Sequence, residues 1–118
     1  MTDTPLRLLK GTLDVLILKT LTWGPTHGYA ISRWIRQSSA DDLRIEEGAL
    51  YPALRRLEER GWVESEWQLS DAGREARVYR LTEAGRKAVR VEVAAWQRYV
   101  AAFARVLEAS PKTKGSVA

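Results

Sequence analysis

The sequence predicts a mainly α fold that carries one small β-hairpin and ends on a long helix. Three observations carry this reading. Three stretches before residue 61 place apolar residues at helical spacing. Two runs between residues 62 and 81 alternate apolar and polar residues around a link rich in Ser, Asp and Gly. The last stretch repeats apolar residues at intervals of four and three. A chain of 118 residues and 13.4 kDa suits one small domain.

The first predicted helix runs from Leu6 to Trp23. Leu6, Leu8, Leu9, Leu13, Val15, Leu16, Ile17, Leu18 and Leu21 cover more than one of its faces. A helix apolar nearly all round needs cover on more than one side, part of which a second subunit can supply. Gly24-Pro25 ends it. Thr26 is the expected cap of a second helix reaching about Gln37, in which Ala30 and Trp34, and likewise Ile31 and Ile35, fall four apart and one face packs inward. Ser38 to Asp42 reads as a polar loop, and Leu43-Arg44-Ile45 as a short strand.

A third helix is expected from about Glu47 to Arg60 on the stripe Leu50, Leu54 and Leu57. Pro52 predicts an irregular start or a kink, because proline lacks the backbone donor. Trp62 to Gln68 and Arg77 to Leu81 then form the hairpin, with Val63, Ser65 and Trp67 on one face and Tyr79 and Leu81 inward. Thr82 caps a last helix of roughly 40 Å that ends near Ala109. Three helices followed at once by a hairpin are the winged helix-turn-helix arrangement, with the long helix as an addition.

Charge narrows the function. The 19 Lys and Arg against 15 Asp and Glu give +4, which fits a polyanionic partner. There is no cysteine and a single histidine, His27, so thiolate chemistry, zinc-thiolate sites and a cofactor held by such ligands are not expected. No paired nucleophile and base and no phosphate-cradling glycine loop argue for an enzyme. Val15 to Leu18 is far shorter than the roughly 20 residues of a membrane span, and no leader is evident, so a cytoplasmic protein is expected.

Within this frame, helix three is the candidate reader of a major groove. Ala49, Tyr51, Arg55 and Arg56 fall on its outward positions, and Gly48-Ala49 allows a close backbone approach. Arg74, Arg77 and Arg80 in the hairpin suit a phosphate backbone. The same residues also read as ordinary solvated positions. His27 reads either as a capping or packing residue or as a DNA or loop contact.

On the last helix, Val89, Val93, Trp96, Val100, Phe103 and Leu107 form a coiled-coil seam, with Leu9 and Leu13 of the first helix packed on it. Such a rod outreaches what a small domain can cover, and the same helix of a second copy is the expected cover. Trp96, Phe103, Leu16 and Val100 either line a pocket between subunits for a flat apolar ligand or serve as plain packing.

The chain resembles the PadR-like transcriptional regulators, in particular the short subtype with one C-terminal helix. The matching strings are Lys10-Gly11-Thr12-Leu13-Asp14, His27-Gly28-Tyr29-Ala30-Ile31 and Gly48-Ala49-Leu50-Tyr51-Pro52-Ala53-Leu54. Arg56-Leu57-Glu58, Gly61-Trp62-Val63 and Tyr79-Arg80-Leu81-Thr82 with Gly85 continue the match. The resemblance implies a winged-helix homodimer that binds palindromic double-stranded DNA, usually as a repressor. It implies that Tyr51 lies on the recognition helix and that Arg77 is the wing's arginine. Val78 stands where many members carry a further basic residue. The resemblance also implies a small hydrophobic or phenolic effector for many members, with Trp96 placed like the tryptophan of multidrug-sensing ones.

The candidate DNA-facing set is therefore His27, Tyr29, Ala49, Tyr51, Arg55, Arg56, Arg74 and Arg77. The expected organisation is a DNA-binding domain over 6–82, a dimerisation helix over 83–109 and a tail over 110–118. A winged-helix module that binds protein instead of DNA is the competing reading, motivated by Val78 and the acidic Glu46-Glu47 pair.

Overall fold

Side chains from every helix and from the hairpin meet in a single core. The computed structural model describes residues 11–46, 48–69 and 71–111. In chain order the elements are α1 (Thr12–Leu21), β1 (Thr26–His27), α2 (Gly28–Ser38), α3 (Leu50–Glu59), β2 (Val63–Leu69), β3 (Glu75–Leu81) and α4 (Glu83–Glu108). The three strands form an antiparallel sheet in the order β1-β3-β2. Ile17, Leu18 and Leu21 of α1 meet Ile31 and Ile35 of α2, Leu54 and Leu57 of α3, and Leu81 of β3. Fully burying one such aliphatic side chain stabilises the fold by roughly 1.5–3 kcal/mol. The mainly α winged fold is thus present, and several expected boundaries shift for local reasons.

The described α1 begins at Thr12, after Gly11 in a left-handed conformation (φ 87°). The expected turns from Leu6 to Lys10 lie outside the described residues. Trp23 stands beyond the helix end and is 70% exposed. Thr26 does not cap α2. Its hydroxyl donates to the Gly24 carbonyl (2.8 Å), and its backbone, in β1, pairs with Tyr79 of β3. Extended His27 takes the capping position without a side-chain bond.

Residues 43–45 form no strand; Leu43 makes a single bridge, and Leu43 and Ile45 pack on the core. The third strand of the sheet is β1 instead.

α3 starts at Leu50, so Pro52 occupies the third helical position. The first four N–H groups of a helix have no intrahelical acceptor, and Pro52 removes one of those. The expected kink is therefore unnecessary. The irregularity sits just before the helix, where Gly48 has φ 89° and the Ala49 N–H donates to the Glu46 carbonyl (3.0 Å).

The hairpin register is Val63↔Leu81, Ser65↔Tyr79 and Trp67↔Arg77 on one face. Burial fades along that face from Val63 to Trp67, which is 60% exposed, because the ribbon projects beyond the helices. Val78, on the other face, is also buried, since its strand is the central one and pairs with His27 of β1.

The Thr82 side chain accepts from the Gly85 N–H (3.0 Å) and donates to the Gly61 carbonyl (2.6 Å), pinning the start of α4 to the end of α3. A side chain at Gly85 would collide with the Trp62 carbonyl oxygen. α1 packs against the first half of α4. The second half leaves the body, and the radius of gyration is 17.9 Å, against roughly 13–14 Å for a compact domain of this length.

Candidate nucleic-acid interface

The outward face of α3 is built by elimination. Leu50, Ala53, Leu54 and Leu57 turn to the core, which leaves Tyr51, Arg55 and Glu59 on the opposite side of the helix. Ala49 lies half-buried at the helix start. The Tyr51 ring rests on the first residue of α2: a methyl group on Gly28 would lie 2.7 Å from its hydroxyl oxygen. Glycine there lets an aromatic ring close over the end of the neighbouring helix. Tyr51 nevertheless keeps 53% of its surface exposed.

Beside it, His27 stacks on Tyr29 (centroids 5.5 Å apart, planes at 14°), and the Arg33 guanidinium lies 5.8 Å from the Tyr29 ring centre. His27 Nδ1 is buried and has no hydrogen-bond partner among the described residues. Histidine thus serves here as a packed ring and a strand residue, while Tyr29 is exposed.

The arginines divide. Arg55 is exposed and enters no ion pair among the described residues. Arg56 does not share that freedom: its Nη2 donates to Asp14 Oδ1 of α1 at 2.8 Å, and the Asp14 side chain is only 13% exposed. One of its donors thus ties α3 to α1, while about half of the side chain stays exposed. Arg80 is similarly committed to Glu64 (2.9 Å) and Glu66 (3.5 Å) on the far face of the hairpin. Arg74 is exposed near the tip.

Arg77 points the other way, toward α3. Its Nε donates to Ser65 Oγ (2.9 Å), and the Ser65 hydroxyl donates to Glu58 Oε2 (2.7 Å). The guanidinium also lies 5.2 Å from the Trp67 ring centre. The buried Tyr79 hydroxyl has its pKa raised, chiefly by burial; Arg77 opposes that shift, while Glu58 and Tyr51 add to it. The Arg77–Ser65–Glu58 contacts thus bring the wing against α3.

Residues 17–91 match the transcriptional regulator PadR-like family. The chain belongs to this family of transcriptional regulators. A transcriptional regulator of Mycobacterium tuberculosis is 47% identical over 57 residues, covering 48% of this chain and 52% of its own. The chain thus spans about half the length of that relative. A crystal structure of a PadR family regulator from Eggerthella lenta superposes with a TM-score of 0.70 at 32% identity, over 86% of each chain. One from Clostridium difficile gives 0.71 at 25% identity, over 82% of this chain and 99% of that one. The winged-helix reading and the resemblance in the sequence agree with these likenesses.

The regulator's other notable surface is on α4. Val89 is buried in the chain's own core, and Val93 packs at its edge, so the uncovered part of the seam begins at Trp96. Val100, Phe103 and Leu107 are 59%, 53% and 70% exposed. Leu9 lies outside the described residues, and Leu13 and Leu16 pack at the core's edge.

An open depression of about 380 Å³ lies over Trp96, but Glu92, Ala95 and Tyr99 line it. Phe103, Leu16 and Val100, expected there, are not among its described lining residues. Sequence reasoning missed Tyr99, which stacks on Phe103 (5.9 Å) and meets Trp96 edge-on (5.6 Å). Its spacing of three from Trp96 and four from Phe103 was the available signal. Among the described residues no helix is long and apolar enough to cross a membrane, and no acidic, His or Cys group could hold a metal ion.

Proposed function

We propose that this regulator is a homodimer that binds a palindromic operator in double-stranded DNA and represses transcription in the cytoplasm. The observation that carries the reading is that Tyr51 and Arg55 stand exposed on α3 while Arg77 of the wing is tied to the same helix through Ser65 and Glu58. Helix N-terminal residues read base edges in such folds, and wing cations hold the backbone. Residues 6–82 serve as the DNA-binding domain, 83–109 as the dimerisation helix and 110–118 as a tail. The exposed apolar stripe from Val100 to Leu107 supports pairing through α4. Pairing there would set two recognition helices roughly 34 Å apart, one turn of the duplex. The aromatic group around Trp96 and Tyr99 supports a flat hydrophobic or phenolic effector.

The test is selection of operators from random DNA, followed by binding isotherms across a salt series. Affinity should fall steeply with salt as phosphate contacts release counterions. Tyr51→Ala and Arg55→Ala should each weaken operator binding by about 1–3 kcal/mol, Arg55→Ala with unchanged melting and Tyr51→Ala with a modest fall because its ring packs on Gly28. Salt-independent binding, or wild-type affinity in both variants, counts against the assignment. Binding of protein alone, with no DNA selected, favours the protein-interaction module instead.

A further inference from the structure

We infer that Ser65 is a positioning residue for DNA recognition, a hydroxyl bridge that ties the wing's Arg77 to Glu58 of the recognition helix. The inference rests on the DNA-binding reading and deepens it. Every hydrogen bond in the bridge runs in one direction: Arg77 Nε–H to Ser65 Oγ (2.9 Å), then Ser65 O–H to Glu58 Oε2 (2.7 Å). A serine hydroxyl has one proton to give and lone pairs to receive, so both its bonds are fully used. Hydrogen bonds in such a chain polarise one another, and the carboxylate at the end strengthens the first link.

The spacing matters as much as the bonds. Among the described residues Arg77 makes no direct ion pair with a carboxylate. A direct pair with Glu58 would occupy the guanidinium fork. The serine bridge takes only Nε, and the terminal amino groups keep the other donors for a bidentate contact to phosphate. Trp67 lies against the same guanidinium at 5.2 Å, restricting it from a further side. Ser65 is half-buried between Val63 and Trp67, on the face that turns toward α3, while Trp67 and Arg77 beyond it are exposed. The bridge therefore sits where the ribbon leaves the body and its angle to α3 is decided. A wing held this way delivers its cation at a set distance from Tyr51 and Arg55, so operator shape as well as charge is read.

Positioning and phosphate contact give different salt responses, and the experiment uses that difference. Full-length wild type, Ser65→Ala, Ser65→Thr, Glu58→Gln and Arg77→Ala are titrated with a selected operator and with random duplex across a salt series. Ser65→Ala should lose roughly 3–10-fold in operator affinity, the worth of about one hydrogen bond. Its salt slope should stay that of wild type, whereas Arg77→Ala should lower the slope by about 1. Ser65→Thr restores the hydroxyl and should restore affinity. Glu58→Gln keeps an acceptor oxygen and removes one negative charge, so it should raise binding to operator and to random duplex alike and leave their ratio within roughly twofold of wild type. Without DNA, the Arg77 Nε–H proton should exchange faster with solvent in Ser65→Ala. Equal operator affinity of Ser65→Ala and wild type overturns the inference, as does a slope loss matching Arg77→Ala. A wild type that binds no DNA removes the functional reading itself and this inference with it, an outcome separate from both.

Discussion

The two halves of α4 share one apolar period and have opposite surroundings. In the first half Val89 is 5% exposed, Gly85 abuts the Trp62 carbonyl, and α1 covers the helix. In the second half Val100, Phe103, Val106 and Leu107 stand more than half exposed. Periodicity states that a face needs cover but not which molecule supplies it. The first half belongs to the fold of one chain. The second is surface that a soluble monomer rarely keeps bare.

The strongest way to break the contrast is at Gly85. Its missing side chain lets α4 lie directly on the end of β2, so Gly85→Ala forces helix and strand apart. The expected loss is about 3 kcal/mol, a fall of roughly 10 °C in melting temperature by calorimetry. A wild-type melting curve would mean that the junction tolerates separation.

Next comes one substitution made in both halves. Val89→Ala removes buried methyl groups and leaves a cavity, costing about 2 kcal/mol of unfolding free energy. Val100→Ala should change the unfolding of dilute protein by less than about 0.5 kcal/mol, yet weaken self-association in sedimentation runs. Equal effects of the two on unfolding would erase the distinction between the halves.

The ion pair below α1 extends the contrast from apolar to charged contacts. Asp14 is nearly buried, and Arg56 is about half exposed, so water screens the pair only in part. Asp14→Asn should cost about 1 kcal/mol in chemical denaturation and free Arg56. Loss of α1 anchorage without loss of DNA binding would separate the structural role of Arg56 from a reading role.

How much of this was legible follows a physical rule. Leu50, Leu54 and Leu57 announced α3, and Thr82 with Glu83 announced α4, because caps and stripes are local signals. β1 stayed hidden: two residues carry no alternation, and only the long-range partner β3 makes Thr26 and His27 a strand. The reading face was half legible for the same reason. Tyr51 and Arg55 follow from helix geometry, whereas the commitment of Arg56 depends on Asp14, 42 residues away. The Arg77-Ser65-Glu58 bridge joins three elements by turns that no local pattern encodes. Of the two outcomes expected from Pro52, the irregular start is present just before α3 and the kink is not needed, because a start at Leu50 puts the proline in the first turn.

The smallest expected effect lies in the exposed turn after α2, where charge acts without packing. Asp41 adopts φ 75° and accepts from Arg36 Nε and from Arg44 Nη2 (3.0 Å). The Arg36 hydrogen bond, then that of Arg44, holds its carboxyl below the usual aspartate range. A lowered native pKa means that the unfolded chain binds the proton more tightly. The contribution is thus present above about pH 4 and is lost as pH falls through the native value. Asparagine tolerates the left-handed conformation, so Asp41→Asn removes the charge with little backbone cost. Wild type and Asp41→Asn should differ slightly in melting near neutral pH, and added salt should shrink the gap, because these side chains are exposed. The two curves should merge in acid. A gap that survives at acidity where the native carboxyl is itself protonated would assign the difference to backbone strain at residue 41 and not to the arginines.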